Sequence, residues 1–516
     1  MKTIEISLTP EEYYVPEELR RVVARAVGVE DAAISHLQVR RRSLDSRRSI
    51  KYRATIDVFF QGDKYQGEDH RSEYKDCRGG EAVVIVGAGP SGLFAALHAL
   101  ELGLKPLIVE RGKAVDERRK DISRMVRSGE VDEDSNWCFG EGGAGTYSDG
   151  KLYTRSTKRG DVGAVLRKFV EHGASPEILI DTHAHIGTDR LPAIVASMRR
   201  TIIEHGGEIY FNQRIDDLKE SGGRVTGVHC CGGHVVDGRA VLLATGHSAR
   251  DIFRLMHRRG WQLQPKPFAL GVRVEHPQEL INEIQYHGKG YSSYLPPASY
   301  SLTTQVGGHG VFSFCMCPGG VIVPAATSAG QQVVNGMSNA SRSSRYANSG
   351  IAVTVSGADV PGYEEHGVLS MLAFQEDVER RVAEASGGKL RAPGQRLTDF
   401  CRRRSTGILN RSNYMGQYVH AELDAYLPTF VCESLRQAFK DFDRKMHGFL
   451  TEQASLLAVE SRTSSPIRIP RQENGQHPQL KGLFPCGEGA GYAGGIVSSA
   501  LDGIHQMDNI WRSING

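Results

Sequence analysis

One short stretch constrains the fold of this chain more than any other. Residues 83–92 read Val-Val-Ile-Val-Gly-Ala-Gly-Pro-Ser-Gly, a buried strand, a glycine turn and the start of a helix. In such a G-x-G-x-x-G turn, Gly87 allows the bend, Gly89 admits a pyrophosphate and Gly92 lets helix and strand pack closely. The helix N-terminus offers free N–H groups to phosphate oxygens. Because the next strand ends at Glu110, a potential ribose ligand, the pattern predicts a dinucleotide-binding βαβ unit.

A second glycine-rich segment indicates which dinucleotide binds. Residues 483–491, Leu-Phe-Pro-Cys-Gly-Glu-Gly-Ala-Gly, again read as a strand, a glycine turn and a helix start. NAD enzymes rarely need such a late return, whereas FAD enzymes of the glutathione-reductase type do. In those enzymes an acid in this segment binds a ribityl hydroxyl, and Glu488 takes its place where Asp is more usual. The sequence therefore predicts FAD.

Five motifs carry a family resemblance. They are 87–92, the loop Phe139–Leu152 with five glycines, 244–251 (Ala-Thr-Gly-His-Ser-Ala-Arg-Asp), 314–320 (Phe-Cys-Met-Cys-Pro-Gly-Gly) and 487–495. On these residues the chain resembles bacterial FAD-dependent dehydrogenases of poorly defined function. It is more distantly similar to flavoproteins that modify tRNA uridines. The resemblance covers most of residues 80–516.

The element pattern divides the chain into four segments. Residues 1–75 read as strand, helix, strand, strand and a polar linker, which suggests an N-terminal ferredoxin-like α+β domain. Residues 80–264 and 446–516 form the two parts of an α/β, glutathione-reductase-type, Rossmann-like FAD-binding domain. Residues 265–445 form an inserted strand-rich substrate domain that caps the flavin.

Bulk composition narrows the setting. The net charge of +3 gives no global field for nucleic acid or anionic membranes. Nine irregularly spaced cysteines do not read as a disulfide framework. The sequence shows no signal peptide and no apolar run long enough to span a membrane. We therefore expect a cytoplasmic protein with no membrane partner.

The motifs and the resemblance together give a set of expected cofactor-binding residues. These are Gly87, Gly89, Pro90, Ser91, Gly92, Glu110, Arg111, Gly142, Gly143, Gly145, Thr245, Gly246, Gly487, Glu488, Gly494, Gly495 and Ile496.

Three side chains are candidates for catalysis. In related flavoproteins the loop 139–152 runs along the flavin ring, and Lys151 there would stabilise the reduced anionic flavin. His247 follows the Ala-Thr-Gly turn and is placed near the flavin. Arg462, in a polar loop before the last strand, would bind an anionic substrate; a solvated loop is the alternative.

Two further clusters invite functional interpretations. Cys315 and Cys317 suggest redox chemistry, but a disulfide between residues two apart is strained, so we expect a packed or pocket-lining pair that shares one face of a strand. Replacing both should leave flavin binding and chemical reduction intact. His183 and His185 lack supporting ligands, so no metal is expected.

The sequence predicts an FAD-dependent oxidoreductase that acts by hydride transfer at flavin N5 on an unknown small molecule. No second G-x-G-x-x-G follows a strand, so NAD(P)H would bind transiently or a partner protein would supply electrons. A basic stripe at Arg40–Arg53 and the tRNA-enzyme resemblance leave an RNA-modifying enzyme as one alternative. A non-catalytic flavin-binding regulator is another. Deletion of residues 1–75 is expected to leave soluble, FAD-loaded protein.

Overall fold

The computed structural model describes residues 1–65, 67, 70–154, 160–288 and 293–516. Its strands are β1 (Lys2–Leu8), β2 (Ile34–Asp45), β3 (Lys51–Phe60), β4 (Ala82–Val86), β5 (Lys105–Val109), β6 (Glu208–Tyr210), β7 (Ile215–Ser221), β8 (Arg224–Cys230), β9 (Val235–Asp237), β10 (Val241–Leu243), β11 (Gln264–Pro265), β12 (Phe268–Pro277), β13 (Thr303–Val306), β14 (His309–Cys317), β15 (Gly320–Pro324), β16 (Val334–Ser338), β17 (Tyr346–Val355), β18 (Ala392–Arg396), β19 (Tyr418–His420), β20 (Ser455–Glu460), β21 (Ile467–Arg468) and β22 (Leu483–Pro485).

The helices alternate with these strands. They are α1 (Pro10–Tyr14), α2 (Pro16–Val27), α3 (Pro90–Leu102), α4 (Val115–Ser128), α5 (Val162–Glu171), α6 (Leu191–Glu204), α7 (Arg250–Arg258), α8 (Gln278–Gln285), α9 (Ser370–Ala385), α10 (Leu397–Arg402), α11 (Thr429–Lys445) and α12 (Ile496–Asn515). None of the helices in the described ranges is long and apolar enough to cross a membrane.

A parallel sheet carries the dinucleotide-binding motif. Its strands lie in the order β22-β10-β4-β5-β6, and each neighbouring pair is parallel. The predicted βαβ unit is observed with the expected bounds: β4, α3 and β5. Strand β22 adds to this sheet beside β10, so the C-terminal segment returns to the first half of the fold. This arrangement confirms a mixed α/β fold with Rossmann-like features.

A second, mostly antiparallel sheet forms the cap. Its order is β13-β14-β17-β12-β20-β18-β19, and the hairpin β15–β16 packs against it. Strand β20 lies inside this sheet, between β12 and β18. The chain therefore returns to the parallel sheet only after Glu460, later than the boundary expected at residue 446.

The N-terminal unit does not have a separate core. Its three strands form an antiparallel sheet in the order β1-β3-β2. The first three strands of a ferredoxin-like fold would be joined in this way, but that fold continues with a further helix and strand. The buried side chains Leu8, Val23 and Ile56 belong to the same hydrophobic cluster as Phe439 and Phe442 of the cap helix α11.

A buried ion pair also fastens this unit to the rest of the molecule. Arg42, with 8% of its surface exposed, donates from Nε to Asp181 Oδ1 at 2.8 Å and from Nη2 to Oδ2 at 2.7 Å. A third contact joins Nη2 to Glu177 Oε2 at 3.1 Å. Arg42 is therefore a structural residue of the interface and is not displayed on an exposed basic stripe.

The predicted linker 61–80 is attached along part of its length. Residues 66, 68 and 69 lie outside the described residues. Beyond them, Ser72 Oγ donates to Glu171 Oε2 at 2.8 Å, and Cys77 N donates to His205 O at 2.8 Å. These bonds fix residues 72–77 on α5 and α6.

Because the N-terminal unit and the cap share one apolar core, we expect deletion of residues 1–75 to give aggregated protein, contrary to the expectation from sequence.

A single substitution, Arg42→Ala, tests the same interface, because it leaves two carboxylates without their cation. It should lower the free energy of unfolding by about 2 kcal/mol, measured by denaturant titration. The exposed neighbour Arg41 provides the matched control, since Arg41→Ala should change stability by less than about 0.5 kcal/mol. A soluble, FAD-loaded truncation together with a neutral Arg42→Ala would contradict this view of the interface.

Candidate functional site

The glycine turn after β4 has the geometry that its sequence predicts. Gly87 has φ +107°, and a Cβ there would lie 2.5 Å from Ala244 O. A Cβ on Gly92 would lie 1.9 Å from Gly87 O, so helix and strand can meet only through glycine. Gly89, by contrast, faces space, and it begins α3 without a side-chain cap. The first N–H groups of α3 therefore remain available to an anion.

Glu110 fastens this turn to the glycine-rich loop. Its Oε2 accepts from Ala88 N at 2.8 Å, and its Oε1 accepts from Gly112 N and Gly140 N, both at 2.9 Å. The side chain is 5% exposed. The carboxylate thus orders three backbone segments around the turn, and its contact with a ribose stays a prediction.

Arg111 is held at the edge of the site. Its guanidinium lies 4.1 Å from the ring centre of Phe139, and Nη2 donates to Asp134 Oδ1 at 2.9 Å. A second carboxylate, Asp251, accepts from Nη1 at 3.1 Å.

The loop Phe139–Leu152 is wedged between two helix N-termini. A Cβ on Gly143 would lie 3.0 Å from Gly89 Cα, and one on Gly145 would lie 3.2 Å from Ile496 Cγ1. Gly142 N donates to Ala88 O at 2.8 Å. These contacts place the loop across the starts of α3 and α12.

Arg118 holds this loop from behind, a role that the sequence does not indicate. The side chain is fully buried and donates to the carbonyls of Asn136, Trp137 and Glu141 at 2.9, 2.9 and 2.7 Å. A buried guanidinium that satisfies carbonyl groups stabilises a loop that has few side chains of its own.

Helix α12 begins beside α3, and glycine makes the approach possible. A Cβ on Gly503 would lie 2.1 Å from Ser91 O, and one on Gly487 would lie 2.2 Å from Ser91 Oγ. A Cβ on Gly494 or Gly495 would meet no heavy atom within 4 Å, and α12 also begins without a side-chain cap. Two uncapped helix N-termini, each with a positive dipole end, therefore lie next to open space.

The Ala-Thr-Gly turn (244–246) packs against the C-terminal glycine segment. Gly246 has φ +76° and open space beyond its Cα, while a Cβ on Gly489 would lie 2.5 Å from Gly246 O. His247 Nδ1 lies 3.5 Å from Glu488 Oε2, so the structure brings these two predicted site residues together. Within the described ranges, His247 Nε2 is buried without a hydrogen-bond partner.

Lys151 connects the glycine-rich loop with the cap. Its Nζ donates to Met316 O on β14. The neighbouring cysteines do not share a face as expected: Cys315 is exposed, whereas Cys317 is fully buried. The pairing of β14 with β17 shifts register between Phe314 and Cys317, so the alternation of side chains is broken there.

Arg462 is in a different environment from the expected polar loop. It is 8% exposed, and its Nε and Nη2 donate to Glu379 at 3.1 and 3.0 Å. The remaining donors reach Ser248, Thr327 and Gln331 at 3.3, 2.7 and 2.9 Å. All five N–H groups are therefore used within the protein, which corrects the expectation of a substrate-binding arginine.

Glu379 is shared between Arg462 and a second arginine. Arg250 donates from Nη1 and Nη2 to the two Glu379 oxygens, both at 2.8 Å. Burial by itself would raise the pKa of Glu379, but the two guanidiniums outweigh burial and lower it from 4.5 to about 2. This ionic cluster joins α7 and the segment after β20 to the cap helix α9.

Comparison with known proteins agrees with the geometry. A model described as "FAD-dependent protein, C-terminal domain-like" matches residues 267–463, and one described as "FAD dependent oxidoreductase" matches residues 190–309. Residues 1–59 match a domain of unknown function. A protein of Clostridium beijerinckii named "Uncharacterized protein" is 37% identical over an alignment of 512 residues, and the match covers 95% of this chain and 95% of that one.

The chain belongs to the FAD-dependent oxidoreductase family. FAD is its cofactor, as the sequence predicts, and it is an enzyme of the oxidoreductase class. Among solved structures, the flavin-dependent brominase Bmp2 is 13% identical with a TM-score of 0.37, covering 84% of this chain and 80% of that one. The FAD complex of CtdE is 11% identical with a TM-score of 0.34, and 84% of each chain is covered. A geranylgeranyl bacteriochlorophyll reductase-like protein of Thermoplasma acidophilum is 12% identical with a TM-score of 0.35, covering 84% and 79%.

The residues of this oxidoreductase fit FAD. The uncapped starts of α3 and α12 suit a dianionic pyrophosphate and an electron-rich ring edge. The open surfaces at Gly89, Gly246, Gly494 and Gly495 provide room that any side chain would fill. The remaining cofactor-binding residues stay predictions at the level of individual contacts.

A cleft of about 1,250 Å³ opens beside the expected adenosine end of FAD. Its lining includes Arg111, Phe139 and Arg214 on one side and Thr327 and Glu376 of the cap on the other. The described residues contain no group of three His, Cys, Asp or Glu side chains placed to hold a metal ion.

The starts of α3 and α12 and the loop Phe139–Leu152 together form the predicted FAD cradle, and Gly89→Val tests it. The added methyl groups should occupy the space over the start of α3 and lower FAD content at least about tenfold, read from the visible absorption of purified protein. Gly357→Val is the matched control, because Gly357 is also open but lies on the exposed surface of the cap. Full FAD content in Gly89→Val would show that the turn does not contact the cofactor.

Glu379→Gln tests the buried ionic cluster. Removing the charge takes the shared carboxylate from two buried guanidiniums and leaves Arg250 a longer contact of 3.5 Å to Glu376 Oε1. We expect a loss of about 3–5 kcal/mol at neutral pH. Since the pKa of Glu379 is depressed from 4.5 to about 2, its contribution is complete above pH 4.5 and is lost as the pH falls toward 2.

The difference in free energy of unfolding between wild type and Glu379→Gln, measured by denaturant titration, should therefore become smaller as the pH is lowered. Glu384→Gln serves as control, because that carboxylate lies on the same helix α9, is exposed and pairs with Arg380, so it should contribute no more than about 1 kcal/mol. A pH-independent difference for Glu379→Gln would contradict the assigned charge state.

Proposed function

We propose that this oxidoreductase transfers a hydride between FAD and a small molecule that binds between the FAD cradle and the strand-rich cap. Bound FAD would supply two-electron chemistry at N5 of its ring. The observation that carries the proposal is the bond from Lys151 Nζ to Met316 O, which joins the cradle loop to cap strand β14. A site between two lobes shields reacting groups from water.

The residues around this space have distinct proposed roles. Lys151 places a positive charge near the ring edge, where it would favour the reduced, anionic flavin. His247 and Glu488 lie together at the start of the C-terminal glycine segment and would orient the ribityl chain. Helix α12 directs its N-terminal amides at the same region. We also propose that the FAD domain has the two-part organisation of the glutathione-reductase type. The N-terminal unit is proposed to be of ferredoxin-like type.

For the electron donor, we propose transient binding of NADH or NADPH. A single G-x-G-x-x-G turn follows a strand in this sequence, so a permanently bound second dinucleotide is not indicated. All nine cysteines are free thiols, which suits the reducing cytoplasm that we propose as the location. A protein donor remains the alternative source of electrons.

The observed charges weaken the proposal of an RNA substrate. Within the stripe Arg40–Arg53, Arg40 pairs with Asp57 at 2.6 Å, and Arg47 and Arg53 both pair with Asp45, at 2.8 and 2.9 Å. Arg42 is buried in the N-terminal interface. Phosphate binding needs cations that can contact the nucleic-acid backbone, and four of the seven cations of this stripe are paired with carboxylates.

Anaerobic reduction of the holoenzyme with NADH and with NADPH tests the function. We expect one of them to bleach the flavin absorption, followed by reoxidation by members of a metabolite panel; the flavin-free Gly89→Val variant should show no response. An RNA panel runs in parallel at low and high salt, because electrostatic RNA binding would weaken steeply with salt. If neither nicotinamide cofactor reduces the flavin while dithionite does, a protein donor or a regulatory role would replace this proposal.

A further inference from the structure

Strand β14 exposes one thiol between buried residues. Cys315 adopts φ +43° at the register shift, which turns it away from the buried positions on either side. Met316 and Cys317 are 5% and 0% exposed, whereas Cys315 is exposed. The two cysteines therefore point to different environments, and Cys317 is not available as a disulfide partner at the open site.

Two cationic side chains bind the carbonyl groups of Cys315 and Met316. Arg273 Nη1 donates to Cys315 O at 3.2 Å, and Lys151 Nζ donates to the next carbonyl, Met316 O. Arg273 is itself fully buried and held by Glu460 Oε2 and Asn348 Oδ1, both at 2.7 Å. The backbone that carries the thiol is therefore held at two successive carbonyl groups, one of them by a fully buried arginine.

Cys315 lies on the cap strand that contacts the glycine-rich loop. Lys151 ends the glycine-rich loop whose Gly143 and Gly145 lie against Gly89 and Ile496, at the two helix N-termini. The bond from Lys151 to Met316 O brings Cys315 to the end of the same loop. A ring placed along this loop would therefore meet β14 at the position of Cys315.

The surroundings keep the thiol uncharged. Although part of the residue is exposed, the surrounding protein desolvates the thiol; this burial raises the pKa of Cys315 to about 11, while Lys151 acts in the opposite direction. The other charged or titratable groups that act on it are Cys317, Arg273 and Glu460. At neutral pH Cys315 is a thiol, which excludes the thiolate that redox exchange would need.

We propose that Cys315 contacts the ring system of bound FAD as an uncharged thiol, and that negative charge at this position is thermodynamically coupled to flavin reduction. The proposal rests on the proposed placement of the ring beside Lys151. A reduced, anionic flavin repels a second negative charge at short range in a medium of low dielectric constant. By linkage, a negative charge at residue 315 must disfavour reduction to the same extent.

The first test compares Cys315→Asp with Cys315→Asn, which have nearly the same shape and differ in charge. The equilibrium constant for reduction of the holoenzyme, measured against a reference dye, should be at least about tenfold smaller for Asp than for Asn. Ser405→Asp and Ser405→Asn form the matched control pair, since Ser405 is exposed on the far surface of the cap. Loss of FAD from Cys315→Asp alone would support the same contact. Equal constants for the two Cys315 variants would overturn the proposal.

The second test needs no substitution. Full-length protein is labelled with iodoacetamide with FAD bound and after FAD removal, and each cysteine is quantified by mass spectrometry. We expect Cys315 to react at least about tenfold more slowly in the holoenzyme, while buried Cys77 and Cys432 stay unreactive in both forms and so report an intact fold. Equal labelling of Cys315 in both forms would overturn the contact.

The two proposals fail in different ways. If Cys315 is protected by FAD and the Asp variant resists reduction, but no nicotinamide cofactor reduces the wild type, the contact holds and the proposed donor fails. If the wild type is reduced by NADH or NADPH while the Cys315→Asp and Cys315→Asn constants agree, the proposed function holds and the contact fails.

Discussion

The close approach of helices α3 and α12 is the constraint on which the site depends. The first turn of α3 packs against Gly503, inside α12, and against Gly487, in the turn before it; a Cβ at these glycines would lie 2.1 Å from Ser91 O and 2.2 Å from Ser91 Oγ. Because both helices begin without a side-chain cap, their free amides and positive dipole ends add at one place. Strand order follows from the same requirement: β22 must return to β10 so that α12 can start beside α3.

Local sequence patterns predicted this part of the molecule well. The bounds of β4, α3 and β5 are those expected, because apolar strands, glycine turns and helix starts are all encoded within a few residues. Gly87 and Gly92 make the close contacts that their spacing indicates, and pyrophosphate binding at Gly89 stays a prediction. The same holds for the glycine turn at Gly487, and these two segments were sufficient to predict FAD.

The missed features are those that depend on long-range partners. Arg118 lies on an ordinary amphipathic helix, and only the folded loop shows that it binds four carbonyl groups there. The polar neighbours of Arg462 in sequence suggested a substrate-binding side chain or a solvated loop, yet Arg462 is buried against Glu379, 83 residues away. Cys315 and Cys317 were expected to share a face, and a register shift against β17 separates them. Spacing along the chain contains no information on any of these contacts.

Buried ion pairs and one lysine at the end of the glycine-rich loop account for the charges closest to the predicted flavin site. Glu379 compensates Arg250 and Arg462, and Glu460 compensates Arg273, so the buried arginines fasten the lobes without leaving free charge in the core. Lys151, in contrast, is bound to a carbonyl group and keeps its charge uncompensated at that contact. Together with the two helix N-termini, it makes the cradle electropositive on the side that faces the cap. Such a field stabilises an electron-rich flavin.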